Sequence, residues 1–114
     1  MNAEDLDWET WLLDASDPIL RKAATSGKES LSSVEKLIYC WWEIDYGMRN
    51  AGNLATVIED MHPTVLVEGL ACAERLELPA AARVFRLSRS EIEEHYFEFF
   101  IEVCKELKLA LPPE

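Results

Sequence analysis

Glycine and proline are scarce in this chain, with four and five among 114 residues. That shortage argues against a many-turned β-sandwich, and a hydrophobic content of 49% argues against disorder, which needs low hydrophobicity as well as charge. Long apolar runs are missing too. The longest, Leu37 to Trp42, is six residues, so no segment reads as a membrane-spanning helix. Cysteine is limited to Cys40, Cys72 and Cys104, an odd set with no CxxC and with spacings too wide for a zinc knuckle. Each falls in a helical apolar pattern, where a free thiol acts as a small hydrophobe, and the set points to a reduced, cytoplasmic protein. The signatures GxSxG, GxGxxG, HExxH and the Walker loop are absent, so neither an enzyme nor a cofactor is expected.

Basic residues are the last deficit. There are 11 Lys and Arg against 22 Asp and Glu, a net charge of −11 and a pI near 4.6. Phosphate backbones and anionic lipids repel such a chain, so direct nucleic-acid binding and membrane anchoring are disfavoured and a basic protein surface is the expected partner. The first 17 residues hold six acids and no base, the opposite of a signal or transit peptide.

What is present is helical periodicity in a single domain over 1–114, with no alternating strand pattern. A first helix is expected from Ala3 to Asp14, with Asn2 as its N-cap. The Asp17-Pro18 pair opens a short second helix that Gly27 ends. Ser32 and Glu35 form a capping-box pattern before a longer helix, Ser33 to Asn50, with Val34, Leu37, Ile38, Trp41, Ile44 and Met48 as its apolar stripe. The sequence Asn50-Ala51-Gly52-Asn53 breaks it, and Asn53 caps a short helix to Met61. His62-Pro63 starts another, with Leu66, Leu70, Ala73 and Leu76 facing inward, and Pro79 opens a brief segment through Arg86. Ser88 and Glu91 form a second capping box before the last helix, where Ile92, Tyr96, Phe99, Phe100, Val103 and Leu107 recur at helical spacing. The expected fold is all-α: a compact bundle of roughly six or seven helices with a long amphipathic C-terminal helix.

Several constellations are candidates for function. His62 precedes a proline and reads as a turn residue. Glu91, Glu94 and His95 share a helical face at metal-ligand spacing, but no matching Glu-x-x-His exists elsewhere, so no metal is expected. Asp45 lies on the apolar stripe with Arg49 at i+4, a structural pair by default and a small-molecule or catalytic pocket by alternative. Trp41 and Trp42 point about 100° apart, so one of them meets a neighbouring helix or another subunit. Trp8 and Trp11 are core or interface anchors. Arg83, Arg86 and Arg89 recur every three residues, either pairing with nearby acids or meeting the acids of a second copy in a homodimer.

The most regular feature is an acid ladder. Glu94, Glu98, Glu102 and Glu106 repeat every four residues, with Glu91 three before. Like charges at i,i+4 repel by about 0.2–0.5 kcal/mol per pair, so the row opposes the helix that carries it. One such step advances about 6 Å along a helix, close to the roughly 7 Å between successive phosphates of a DNA strand. The row can therefore offer a basic groove something near a phosphate row, helped by Asp5, Asp7 and Glu9 on the first helix; the alternative is an ordinary solvated face, with Lys105 at its edge. An immunity-type inhibitor of one nuclease or effector, anchored through a tryptophan, is the alternative within the same broad class.

The segment Leu37-Ile38-Tyr39-Cys40-Trp41-Trp42-Glu43-Ile44-Asp45, the break Asn50-Ala51-Gly52, and the later Leu70-Ala71 and Ala80-Ala81-Ala82-Arg83-Val84-Phe85 carry a resemblance. Over about residues 33–85 the chain resembles a family of small bacterial helical domains, long of unknown function, whose characterised representative is a DNA-mimic protein. The resemblance implies an all-α fold and a dimeric acidic protein that occupies DNA-binding proteins in place of DNA.

Overall fold

The computed structural model describes residues 7–111 and is all-α. Among these residues are five α-helices: α1 (Trp8–Ser26), α2 (Ser33–Ala51), α3 (Val65–Arg75), α4 (Pro79–Phe85) and α5 (Arg89–Ala110). A 3-10 turn at Lys28–Ser30 and a π turn at Val57–Met61 complete the connections. No helix among the described residues is long and apolar enough to cross a membrane.

The first two expected helices are one. α1 runs through Pro18, and Asp7 rather than Asn2 is its N-cap, accepting from the Thr10 amide at 3.2 Å and from the Thr10 hydroxyl at 2.7 Å. Asn2 and Asp5 lie outside the described residues. A proline inside a helix forfeits one backbone bond and crowds the carbonyl four residues earlier, at a cost of about 3 kcal/mol. The buried stripe Trp8, Leu12, Ser16 and Ile19 continues on both sides of Pro18, and its burial against the body offsets that cost. Ser16 helps locally, its hydroxyl donating to the Leu13 carbonyl at 3.1 Å. Gly27 ends the helix at φ 86°, its amide donating to Ala23.

α2 is the central element, packed on α1, α3 and α5. Its capping box forms as the sequence indicates: the Glu35 amide donates to Ser32 Oγ, and Glu35 Oε1 accepts from the Ser32 amide at 2.8 Å. The same carboxylate meets Lys22 of α1 at 3.0 Å, which ties the start of α2 to its neighbour. Gly52 closes the helix in the left-handed region at φ 73°, where a side chain would be strained. Trp41 and Trp42 divide as their spacing requires. Trp41 is fully buried against Phe85, Tyr96 and Phe100, with ring centroids 6.0, 5.1 and 6.3 Å away. Trp42 lies half-buried between Tyr39 and Tyr46.

The buried face of α3 is offset from the expected one. Val65, Gly69, Cys72 and Ala73 are buried, whereas Leu66, Leu70 and Leu76 pack at its margin. The cause is Phe85 of α4, whose ring lies so close to Gly69 that a Cβ there would stand 2.3 Å from its Cε1. α4 in turn rests on α5. The Ser88–Glu91 capping box opens α5, which buries Ile92, Tyr96, Phe100, Val103, Cys104 and Leu107, with Phe99 partly covered. All three cysteines are free and buried; burial pushes each thiol up, that of Cys104 to about 12, so they pack as small hydrophobes.

Gly69→Ala should destabilise the protein by about 1–3 kcal/mol, because the methyl group collides with a ring rather than with a flexible tip. Urea unfolding followed by tryptophan fluorescence checks this, and the lost stability should return in part with Phe85→Leu.

Candidate functional site: the outer face of the last helix

The buried stripe of α5 turns its opposite face, with the acid row, toward solvent. The row is not uniform. Glu91 belongs to the capping box, its Oε1 accepting from the Ser88 amide at 3.1 Å, a bond that holds its carboxyl below the usual range. The Glu94, Glu98 and Glu102 side chains are 74%, 69% and 58% exposed. Glu98 meets His95 Nδ1 at 2.5 Å, and Glu94 lies 3.8 Å from Nε2 of the same ring. These neighbours, Glu98 foremost, raise the His95 pKa, so falling pH places a cation inside the row. Glu102 pairs with Arg83 at 2.9 Å.

Glu106 serves a different purpose. Its two oxygens accept from the Ala80 and Ala81 amides at 2.7 and 2.8 Å. Those amides are orphan donors in the first turn of α4, whose own N-cap, Leu78, has no side chain able to accept them. Glu106 is therefore the cap of α4, supplied from a helix 26 residues away. Glu93 does similar work, accepting from the Leu54 amide at 2.7 Å and from Arg89 at 3.1 Å.

Asp7 and Glu9 each have a partner within the chain. Asp7 is committed to capping α1, and Thr10 holds its carboxyl low. Glu9 reaches Arg49 of α2 at 3.4 Å. The three arginines expected to cluster each have a partner within the chain: Arg83 with Glu102, Arg86 with Glu74 at 2.7 Å, and Arg89 with Glu93.

Two polar clusters centre on buried residues. Asp45 is the first, and its Oδ1 accepts from the Tyr96 hydroxyl at 2.6 Å and from Arg49 Nε at 2.8 Å. Burial pushes the Asp45 carboxyl up, and these two donors oppose it; burial and Asp45 together push the Tyr96 phenol well above its ordinary value. Both donors are directed at a single carboxylate oxygen, and Asp45 and Arg49 also line a hollow with Glu9, Leu13, Trp42, Tyr46 and Asn50. The second cluster had no sequence signal. His62, at the end of the π turn, stands between Glu43 Oε1 and Glu68 Oε2, each 2.5 Å from a ring nitrogen, and Glu68 also accepts from Thr64. Both contacts are N–H donations only when both ring nitrogens carry protons. Glu43 and His62 are buried, and their partnership keeps a polar pair tolerable in the core. His62 and Glu68 line a cavity of about 150 Å³ with Lys28, Lys36 and Glu29; two lysines against two glutamates give its wall no preferred sign. Among the described residues no group of three or more His, Cys, Asp or Glu is disposed to hold a metal.

Comparison of the chain with protein-family models, with curated proteins and with solved structures found no match.

The division of labour along the row has a measurable consequence. Glu106→Ala should cost about 1–2 kcal/mol by uncapping α4, whereas Glu94→Ala should stay within about 0.5 kcal/mol of the parent. Chemical denaturation of the two variants in parallel reads the difference.

Proposed function

We propose that the chain is a non-enzymatic binding protein that regulates a basic, nucleic-acid-binding protein by presenting the outer carboxylates of α5 in place of a phosphate row. The observation that carries this reading is the run Glu94, Glu98 and Glu102. Each is mostly exposed, one helical turn from the next, on a helix whose inner face is fixed in the core. A spacing of about 6 Å along a rigid helix suits a groove built for phosphates. Glu91 extends the row at one end, while Glu106 contributes by holding α4 rather than by facing a partner. His95 dims the row as pH falls, because its protonated ring pairs with Glu98. Asp7 caps α1 and Glu9 meets Arg49, so in this reading they add to the charge around the α5 row rather than extending it. The resemblance of residues 33–85 to a family with a DNA-mimic representative implies the same class of partner, and buried, free cysteines suit action in the cytoplasm.

The competing readings draw less support. A tryptophan anchor for a nuclease needs an open indole, and Trp8 and Trp41 are buried while Trp11 and Trp42 are partly covered. A homodimer through the arginine cluster needs cations that are instead paired with this chain's own acids.

The test is retention of extract proteins on the immobilised chain, followed by competition. A retained protein that binds a labelled DNA duplex should release it when free chain is added. Glu94→Gln with Glu98→Gln should weaken that competition about three- to thirty-fold, the worth of two exposed charge pairs, with a shallower dependence on salt. Retained proteins that hold no nucleic acid, or competition indifferent to both glutamates, would contradict the proposal.

A further inference from the structure

The outer face of α5 carries more than charge. Phe97 and Ile101, one turn apart, are 57% and 50% exposed. Each follows an acid of the row by three residues, Phe97 after Glu94 and Ile101 after Glu98, so each stands beside that acid on the helix surface. An apolar edge thus runs alongside the acid row. Phe97 is fixed in place: the Arg49 guanidinium lies 5.1 Å from its ring centroid and 4.6 Å from that of Phe100, and Tyr96 meets it edge-on at 5.0 Å. Arg49 is itself held by Asp45 and Glu9, so its charge is balanced within the chain and does not offset the acids beside Phe97. The same guanidinium lines a hollow between α1 and α2 with Glu9, Leu13, Trp42, Asp45, Tyr46 and Asn50, so the apolar edge of the strip is Phe97 and Ile101 alone.

A face that needs only to mimic phosphates, or only to be solvated, gains nothing from an open phenylalanine and isoleucine. Burying the exposed half of each against a partner removes apolar surface from water, a gain that the free chain forgoes. The edge is narrow and straight, with a repeat of one helical turn, which is the shape that an i, i+4 ridge of another helix fills. The carboxylates alongside fix the charge of what fills it.

We infer that Phe97 and Ile101, together with Glu94 and Glu98, form a docking strip for an amphipathic basic helix of the partner, whose apolar ridge seats on the two side chains while its flanking Lys or Arg meet the two carboxylates. This rests on the reading of α5 as the contact face and adds to it a component that salt does not screen.

The probe is a fluorescein-labelled, 18-residue amphipathic peptide with a leucine stripe flanked by lysines, read by fluorescence anisotropy. The control is the same peptide with serine in place of leucine. The parent chain should bind the leucine peptide, and Phe97→Ala with Ile101→Ala should weaken it about tenfold or more, as loss of a buried anchor does. That loss should persist in about 0.5 M salt, where the loss caused by Glu94→Gln with Glu98→Gln largely vanishes. The serine peptide should not distinguish the parent from the apolar variant. Equal binding of the leucine peptide by parent and apolar variant, with the glutamate variant still impaired, overturns the strip and leaves the charge reading standing. Indifference to both variants overturns both. Loss with the apolar variant alone overturns the basic partner in each. Far-UV circular dichroism verifies the fold, and Ile101→Ala by itself, which disturbs no hydrogen bond or aromatic contact, keeps the test decisive should the Phe97 variant unfold.

Discussion

The Tyr96 hydroxyl donating to the buried Asp45 carboxylate fixes how α5 is turned about its own axis. Asp45 is a costly residue to bury, and burial alone pushes its carboxyl up; it is tolerable because Tyr96 and Arg49 both donate to it. Tyr96 must therefore face α2. At 100° per residue, Glu94 and Glu98 then lie about 160° from Tyr96, pointing away from the core. The exposure of the acid row thus follows from this buried hydrogen bond together with the apolar stripe Ile92, Phe100, Val103 and Leu107 on the same face. Trp41 reinforces the same arrangement by filling the space among Phe85, Tyr96 and Phe100.

The other end of α5 is set by a second polar contact of opposite character. Glu106 gives up its place in the row to cap α4, and through the Phe85–Gly69 contact α4 positions α3. One regular sequence pattern therefore divides into a structural half and a free half. Glu102 stands between them, exposed yet paired with Arg83. What remains open is a short row, Glu94 to Glu102, bordered by Phe97 and Ile101. Its charge acts at long range and its apolar border only on contact, so the first would govern encounter and the second residence.

The helices were legible where their signals are local. Both capping boxes, the glycine that closes α2 and the proline that opens α4 stand where the sequence placed them, because each depends on residues within a turn of one another. The break at Asp17-Pro18 misled for a physical reason: a local stop signal was outweighed by the burial of Leu12, Ser16 and Ile19 on one continuous stripe. The inward face of α3 was displaced because a ring from α4 lies on Gly69, a contact that helical periodicity does not contain. In the site, the row itself was legible, but its partners were not. Glu106 and Glu93 are indistinguishable in sequence from their neighbours, and only the tertiary fold brings them to amides 26 and 39 residues away. Glu43 and His62 were invisible for the same cause, being 19 residues apart.

The proposed function depends on which carboxylates face solvent where a basic partner can reach them. Carboxyl-carbon NMR of the glutamate-labelled chain, titrated with a lysine-rich DNA-binding domain, observes them one by one. Glu94, Glu98 and Glu102 should shift together, while Glu43, Glu93 and Glu106, held inside the fold, stay fixed. Shifts centred instead on Glu59, Glu74 or Glu77, with the α5 row unmoved, would contradict the proposed function.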